Sequence, residues 1–323
     1  MRSLIIREDT IEVEQLEENF LPDAPVTVDV HWSDLNYKDA LAVTGSPGVV
    51  RKKPLIAGID LVGVVRESRD DRFSPGDWLI LNGAGLSETL HGGYSTVAKI
   101  DPTSAVALPD HFTPERAAAL GTAGFTAALS VLRLVMEGVS PEQGPVLVTG
   151  ATGGVGSIAT MLLSAAGFQV TAVTGRPDSL GPLLTKLGAD EVLPRDAFAG
   201  QGKPLQRATY AGVVDSVGGE ILANAIAQTI PDGTVTACGN AGGHQLPSSV
   251  MPFILRGVTL AGINSVTADA QDRADAWRVL AQGVDVDLLD AMTTEISLDE
   301  VTSAGKELLA GGRHGRTLVR VLD

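Results

Sequence analysis

Residues 146–157 read V-L-V-T-G-A-T-G-G-V-G-S, and this stretch decides the fold. An apolar strand-like run meets a turn carrying Gly150, Gly153, Gly154 and Gly156, and an apolar run at helical spacing, SIATMLLSAAG, follows. Glycine inside an element costs stability, so such a cluster marks backbone that must bend sharply or approach something closely. At a strand-to-helix turn, glycines permit the bend, let main chain come near a pyrophosphate and allow the helix to pack on the strand. The first N–H groups of the helix lack intrahelical partners and carry partial positive charge, which suits them to phosphate. The spacing departs from G-x-G-x-x-G. The close-approach role therefore passes to Gly153 and Gly154, with Thr152, Val155 and Gly156 completing the loop expected to touch a dinucleotide.

The units that follow alternate in the same sense: FQVTAVTG, SLGPLLTKLGA, DEVLPRD, AGVVDSVGG, EILANAIAQTI, GTVTACG, VTLAGINSV. Nearly all-apolar strands joined by amphipathic helices predict a parallel sheet covered on both faces, with right-handed crossovers. The preceding residues have another texture, with short segments such as VTVDVHW and LVGVVRES punctuated by TGSPG, FSPGD and HGGYS. That pattern predicts a β-rich domain. After Val266 come an acidic helical stretch, EISLDEV, a further helix and a closing strand, RTLVRVL, which we expect to return to the first domain. The expected class is α/β, with residues 1–117 and 265–323 forming the β-rich domain and 118–264 the doubly wound one.

The choice of dinucleotide is made about 20 residues after the loop, where a carboxylate would bond a ribose 2′-hydroxyl and an arginine would accept a 2′-phosphate. The second strand ends Val173-Thr174-Gly175-Arg176, with no acid at its end. Arg195, closing the next short strand, stands at the neighbouring strand end. A guanidinium presents a fixed fork to phosphate, so the pair favours NADPH over NADH, with Thr174 and Gly175 beneath it.

Composition narrows the partners. At 323 residues, two domains are the natural prior. A formal charge of −15 argues against a nucleic-acid surface, which needs basic stripes. No uninterrupted apolar run of about 18 residues occurs, and the start, MRSLIIREDTIEVEQLEE, turns acidic where a signal peptide would be apolar. The expectation is a cytoplasmic protein with no membrane partner. The single cysteine, Cys238, leaves no disulfide framework, and the histidines, at 31, 91, 111, 244 and 314, are scattered without a cysteine beside them. No metal site is expected.

The first domain contains HWSDLNYKDAL (31–41) and GIDLVGVV (58–65). With GTAGFTA, VTGATGGVGS, VLPRD, ACGNAGG, VMPFILRGV and the terminal GRTLV, these stretches resemble the medium-chain dehydrogenase/reductases, and within them the zinc-free, acryloyl-CoA reductase-like quinone oxidoreductase branch. The resemblance runs nearly end to end. It implies a GroES-like β-barrel built from both chain ends, a Rossmann domain between them, and a homodimer whose edge strand VTLAGINSV meets its copy.

It also implies NADPH-dependent reduction of a carbon–carbon double bond activated by a carbonyl, with acryloyl-CoA as first candidate and a quinone, enone or enal as alternative. A non-catalytic NADPH-binding redox sensor is the reading from a different class. In the reaction, hydride reaches the β-carbon, charge collects on the carbonyl oxygen as an enolate, and a proton reaches the α-carbon. Tyr37 is the leading candidate at this centre, either donating a hydrogen bond to the enolate or fixing the nicotinamide and its ribose. Asn36 could donate to the same oxygen or could simply cap backbone. Further cofactor contacts implied by the resemblance are Asn240, Ile254 and Ser265. Arg51-Lys52-Lys53, the densest basic run, is a candidate rim for the phosphates of coenzyme A or an ordinary solvated stretch.

Overall fold

In a computed structural model, which describes residues 1–322, the chain divides into two compact units. The first comprises residues 1–125, 265–281 and 289 onward. Its amino-terminal part runs β1 (Arg2–Ile6), β2 (Ile11–Gln15), β3 (Val26–Asp34), α1 (Tyr37–Val43), β4 (Leu55–Ile56), β5 (Asp60–Ser68), β6 (Trp78–Asn82), β7 (Val97–Ile100) and β8 (Val106–Ala107). The period-2 pattern of VTVDVHW puts Val26, Val28 and Val30 on one face of β3, all fully buried. β3 pairs antiparallel with β5 and also with β7, and β5 pairs with β6.

Helix α2 (Pro114–Met136) starts with proline in its first turn, where a missing N–H costs nothing. It is long and apolar enough to cross a bilayer, but its most apolar window is 67% buried within the protein, as a core helix requires. The helix kinks at Gly121, whose φ of 48° and ψ of −155° a side chain would oppose.

The second unit, residues 126–264 with 282–288, holds β9 (Val146–Val148), α3 (Gly154–Ala165), β10 (Val170–Thr174), α4 (Pro177–Lys186), β11 (Glu191–Pro194), β12 (Tyr210–Asp215), α5 (Gly219–Ala227), β13 (Thr229–Ala237), α6 (Met251–Arg256) and β14 (Thr259–Gly262). These strands form one sheet in the order β11-β10-β9-β12-β13-β14, all parallel. Val146, Leu147 and Val148 are fully buried, as a strand covered on both faces must be. The order reverses between β9 and β12, and ligands of such sheets settle at the carboxyl ends of the strands at that switch point.

The chain then enters α7 (Ala270–Gly283), α8 (Val286–Ala291), β15 (Thr293–Ser297), α9 (Val301–Leu309) and β16 (Arg316–Arg320). β16 lies between β15 and β3, so the carboxyl-terminal strand sits in the first unit's sheet. The first division falls after Phe125 rather than near residue 117, because Thr122 on α2 is bonded to Asp60 of β5. Residues 282–288 group with the second unit, where a Cβ on Gly283 would lie 2.9 Å from Leu162 Cδ2.

Candidate functional site

The glycine loop after β9 is built for close approach. Gly150 adopts φ +60°, and a Cβ there would stand 2.5 Å from Ser216 Oγ. Gly153 N donates to Gly150 O at 2.9 Å, closing the turn, and Gly153 then caps α3. A Cβ on Gly156 would sit 2.6 Å from Ala151 Cα, so the first turn of α3 lies directly on the loop only because this residue has no side chain. Gly154, Val155 and Gly156 are the first residues of the helix, where main-chain N–H groups have no partner four residues back. Gly153 is exposed and Gly154 and Val155 are half-buried, leaving this donor edge accessible.

The loop is tied to the end of β10. Thr152 Oγ1 lies 3.2 Å from Thr174 Oγ1, and the latter accepts from Arg176 N at 3.1 Å. Thr174 pairs with Pro194 across β10 and β11, which brings Arg195 alongside Gly175. The guanidinium carbon of Arg195 sits 3.2 Å from where a Gly175 Cβ would be, so the arginine lies flat against bare backbone. Arg176 is half-buried at the cap of α4, and no acidic residue stands at this strand end. A cationic corner beside a glycine cradle fits a phosphate attached to a dinucleotide's ribose.

Asp215, at the end of β12, is fully buried and accepts from Thr149 Oγ1 at 2.6 Å and Gly218 N at 2.8 Å. Burial pushes its carboxyl up, and those hydrogen bonds oppose the rise. It fastens the turn after β12 to β9, the role a helix-start turn requires. Cys238 donates its thiol to Asp215 O at 3.2 Å, and burial pushes the thiol up to about 12. It is a packed residue without nucleophilic character at neutral pH. Asn240 is exposed, and Ile254 on α6 is 71% exposed. Ser265 belongs to the first unit, where its carbonyl accepts from Arg273 at 3.4 Å.

In the first unit, Tyr37 is the first residue of α1 and is 40% exposed, unusual for a large ring on an element whose other face is core. The residue before it is 8% exposed, and its amide is committed. Asn36 Nδ2 points at Asp60 Oδ2 (2.8 Å), Asp34 Oδ1 (3.1 Å) and Asp39 Oδ2 (3.3 Å), while its Oδ1 accepts from Arg316 at 3.2 Å. Of the two readings of Asn36, the structure carries the cap and corrects the catalytic donor: Asn36 is the N-cap of α1 in a capping box with Asp39, and its amide hydrogens go to buried carboxylates.

Those carboxylates, with Arg316, are what sequence reasoning missed. Asp34 is ion-paired with Arg316, whose Nε donates to Ala119 O at 2.5 Å. Asp60 accepts from Asn82 Nδ2, Thr122 N and Thr122 Oγ1 at 2.8, 2.8 and 2.6 Å, in addition to Asn36. Asp39 accepts from Asn36 N at 2.9 Å and Ile59 N at 2.8 Å. Burial, then the neighbouring Asp60, holds Asp34 well above the usual carboxylate range and pushes Asp39 up to about 7. The only sequence signal was acids embedded in apolar surroundings, in HWSDLNYKDAL and GIDLVGVV.

A second missed feature is the loop 83–90. Ala84 (φ 50°) and Ser87 (φ 61°) adopt left-handed backbone without being glycine, and the Ser87 hydroxyl is buried with no partner. Strain of this kind concentrates at functional loops. Glu88 at its end pairs with Lys38, approaches Arg51 Nε at 3.9 Å and accepts Arg51 N on its carbonyl at 2.8 Å. Arg51 keeps 69% of its side chain exposed, and Lys53 stands 4.0 Å from Glu8.

Residues 22–110 match the alcohol dehydrogenase GroES-like domain family and residues 154–282 the zinc-binding dehydrogenase family. The residues do not fit the zinc that the second description implies. Among the described residues no group of three or more His, Cys, Asp or Glu could hold a metal, and the buried carboxylates already accept protein donors. The chain is 46% identical to the probable acrylyl-CoA reductase AcuI of Escherichia coli, over 96% of this chain and 95% of that one. It is 44% identical to the acrylyl-CoA reductase AcuI of Ruegeria pomeroyi, over 96% and 94%. The crystal structure of the yhdH oxidoreductase of Salmonella enterica in complex with NADP superposes with a TM-score of 0.97 at 44% identity, covering 100% of both chains. A GroES-like β-rich unit, a Rossmann-like unit and this end-to-end identity place the chain in the medium-chain dehydrogenase/reductase superfamily, as a member of its zinc-independent AcuI/YhdH branch.

Proposed function

We propose that this protein is an NADPH-dependent reductase of activated carbon–carbon double bonds whose substrate is acryloyl-CoA, converted to propionyl-CoA. The reaction class is carried by the 46% identity to the Escherichia coli protein across nearly the whole chain. The coenzyme choice is supported by the Arg195 guanidinium lying over Gly175 with Arg176 beside it. Bound NADPH supplies the hydride; the protein supplies orientation and a hydrogen bond where charge develops. The α3 amides, Thr152 and the two arginines hold the coenzyme's phosphates. Tyr37, exposed at the start of a helix whose cap is fixed by Asn36 and Asp39, sits at the reacting groups and hydrogen-bonds either the thioester oxygen or the nicotinamide ribose.

Coenzyme A brings phosphates to a chain of formal charge −15, so it needs local cations. Arg51, Lys52 and Lys53 are exposed and form that rim, with Arg51 exchanging its distant Glu88 partner for phosphate. A second copy of the chain covers the β14 edge, together with the neighbouring apolar residues Val250, Ile254 and Leu255, which are 65%, 71% and 59% exposed.

The test is NADPH oxidation with acryloyl-CoA, a simple enone and a quinone as parallel substrates. Turnover preferring the thioester, abolished or strongly reduced in Tyr37→Phe, is expected. Preference for the quinone would replace the substrate, and tight NADPH binding without turnover would replace the enzyme with a sensor. Arg51→Ala/Lys53→Ala should raise KM for acryloyl-CoA in a salt-sensitive way, and an unchanged KM removes the rim. Light scattering should give a dimer that Ile254→Glu weakens; a wild-type monomer sinks that part alone.

A further inference from the structure

Asp34, Asp39 and Asp60 are 0%, 0% and 1% exposed and come from β3, α1 and β5. Arg316 from β16 is ion-paired with Asp34 and donates to Asn36 Oδ1, which lies among the three. The other buried arginine, Arg273, spends its donors on the carbonyls of Asn82, Ser265, Val266 and Ala268. Three buried carboxylates, with Arg316 paired to Asp34 and Arg273 acting on Asp60, outnumber the cations near them and cannot all stay charged without a large desolvation penalty, so the cluster retains a proton. The bonds differ in what they tolerate. Asp60 accepts four donors, two on each oxygen. Asp39 accepts two main-chain amides, Asn36 N and Ile59 N, one on each oxygen. Adding a proton removes the full negative charge that those two amides bond to and leaves each with a weaker, neutral hydrogen bond.

Asn36 is the cap of α1 and Tyr37 its first residue, so whatever holds Asn36 N holds the tyrosine. We propose that Asp39 is the positioning residue for Tyr37 and that proton uptake by the Asp34–Asp39–Asp60 cluster loosens the Asn36 and Ile59 clamps, making the placement of Tyr37 follow pH. The inference rests on the reading that Tyr37 acts at the reacting groups. The balance is a single proton exchanged with solvent, with no bond to substrate formed or broken.

The groups facing Asp39 are few. β5 brings Asp60, β3 brings Asp34, and the turn before β7 brings the buried phenol of Tyr94, which donates to Asp34 O at 2.8 Å; behind them Arg316 of β16 pairs with Asp34 and Arg273 of α7 acts on Asp60. α2 contributes only the uncharged Thr122 to the cluster, and α9 packs Gly305 against Ala40 with no charge between them.

The experiment uses the full chain and three readouts: the pH profile of kcat/KM for acryloyl-CoA, calorimetric NADPH affinity, and hydrogen exchange of the Asn36 and Ile59 amides, corrected for intrinsic rates. Wild-type kcat/KM should inflect near pH 7, the value toward which Asp39 is pushed. Asp39→Asn should abolish the inflection and lower kcat by about tenfold, the loss of roughly one buried hydrogen bond, with NADPH affinity within about twofold. Asp39→Glu should restore an inflection. Wild-type protection of Ile59 N should fall by about tenfold between pH 8 and pH 6, a measurement that needs no variant to fold. An inflection unchanged in Asp39→Asn, or Ile59 protection independent of pH, overturns the proposal. Tyr37→Phe with full activity would instead overturn the reading of Tyr37 as a reacting-site residue, while the exchange result would still stand or fall by itself.

Discussion

Removing Arg195 tests the coenzyme reading most directly. Its position is set by register: Thr174 opposite Pro194 places the next residue of each strand end side by side, and the guanidinium rests 3.2 Å from the missing Cβ of Gly175. A charge-assisted hydrogen bond contributes about 1.5–3 kcal/mol, and the exposure of Arg195 puts it near the lower end. At about 1.4 kcal/mol per tenfold, Arg195→Ala should weaken NADPH binding by roughly 10- to 30-fold. NADH lacks the phosphate, so its affinity should change by less than about threefold. Arg176→Ala should act in the same direction. Because the two residues flank one anion, the double variant should depart from simple additivity. Isothermal calorimetry with both coenzymes at two ionic strengths reads all of this, with the wild-type preference shrinking at high salt. Equal losses for NADPH and NADH would mean that the arginine only supports the strand end; no loss for either would remove the 2′-phosphate corner altogether.

Three further outcomes follow from the same geometry. Gly156→Val should abolish coenzyme binding or folding of the second unit, because a side chain would enter the 2.6 Å gap to Ala151 Cα; calorimetry separates the two, and wild-type affinity contradicts the cradle. Gly121→Ala should destabilise by about 3–5 kcal/mol in urea unfolding, since a Cβ would overlap Asp34 Oδ2 at a backbone conformation only glycine favours and would disturb a buried ion pair. A loss under about 1 kcal/mol would show that the kink tolerates a side chain.

The last concerns pH. The native carboxyl of Asp39 is pushed from the ordinary 3.8 to about 7, so between those values the folded protein binds a proton that the unfolded chain does not. The associated stabilisation is present in full below about pH 4 and is lost as pH rises through about 7. Unfolding free energy should therefore fall between pH 5 and about 7.5 with a slope of up to ~1.4 kcal/mol per pH unit from this group. Denaturant titrations should find that slope reduced in Asp39→Asn, and parallel curves for the two proteins would contradict it.

The glycine turn after β9 was legible because its geometry is local. A strand, a turn and a helix start are consecutive in sequence, and the glycines that a chain needs there record what the backbone must do. The alternation of apolar strands and helices likewise forecast a parallel sheet, and the motifs from HWSDLNYKDAL to GRTLV pointed to the family. Two arginines at neighbouring strand ends could be anticipated once β10 and β11 were expected side by side.

The buried cluster could not be read in this way. Asp34, Asp60, Thr122 and Arg316 come from parts of the chain as much as 282 residues apart, and each in isolation looks like an ordinary polar residue of its element. Sequence by itself determined the elements, the glycine turn between β9 and α3 and the family, because these depend on neighbours along the chain. Only the tertiary structure decided that Asn36 serves carboxylates rather than substrate, and that Gly121 is bare to admit Asp34. It also decided that three acids from separate elements are buried together, with Arg316 paired to Asp34. Burial and long-range register create those interactions, and neither is written in any single stretch.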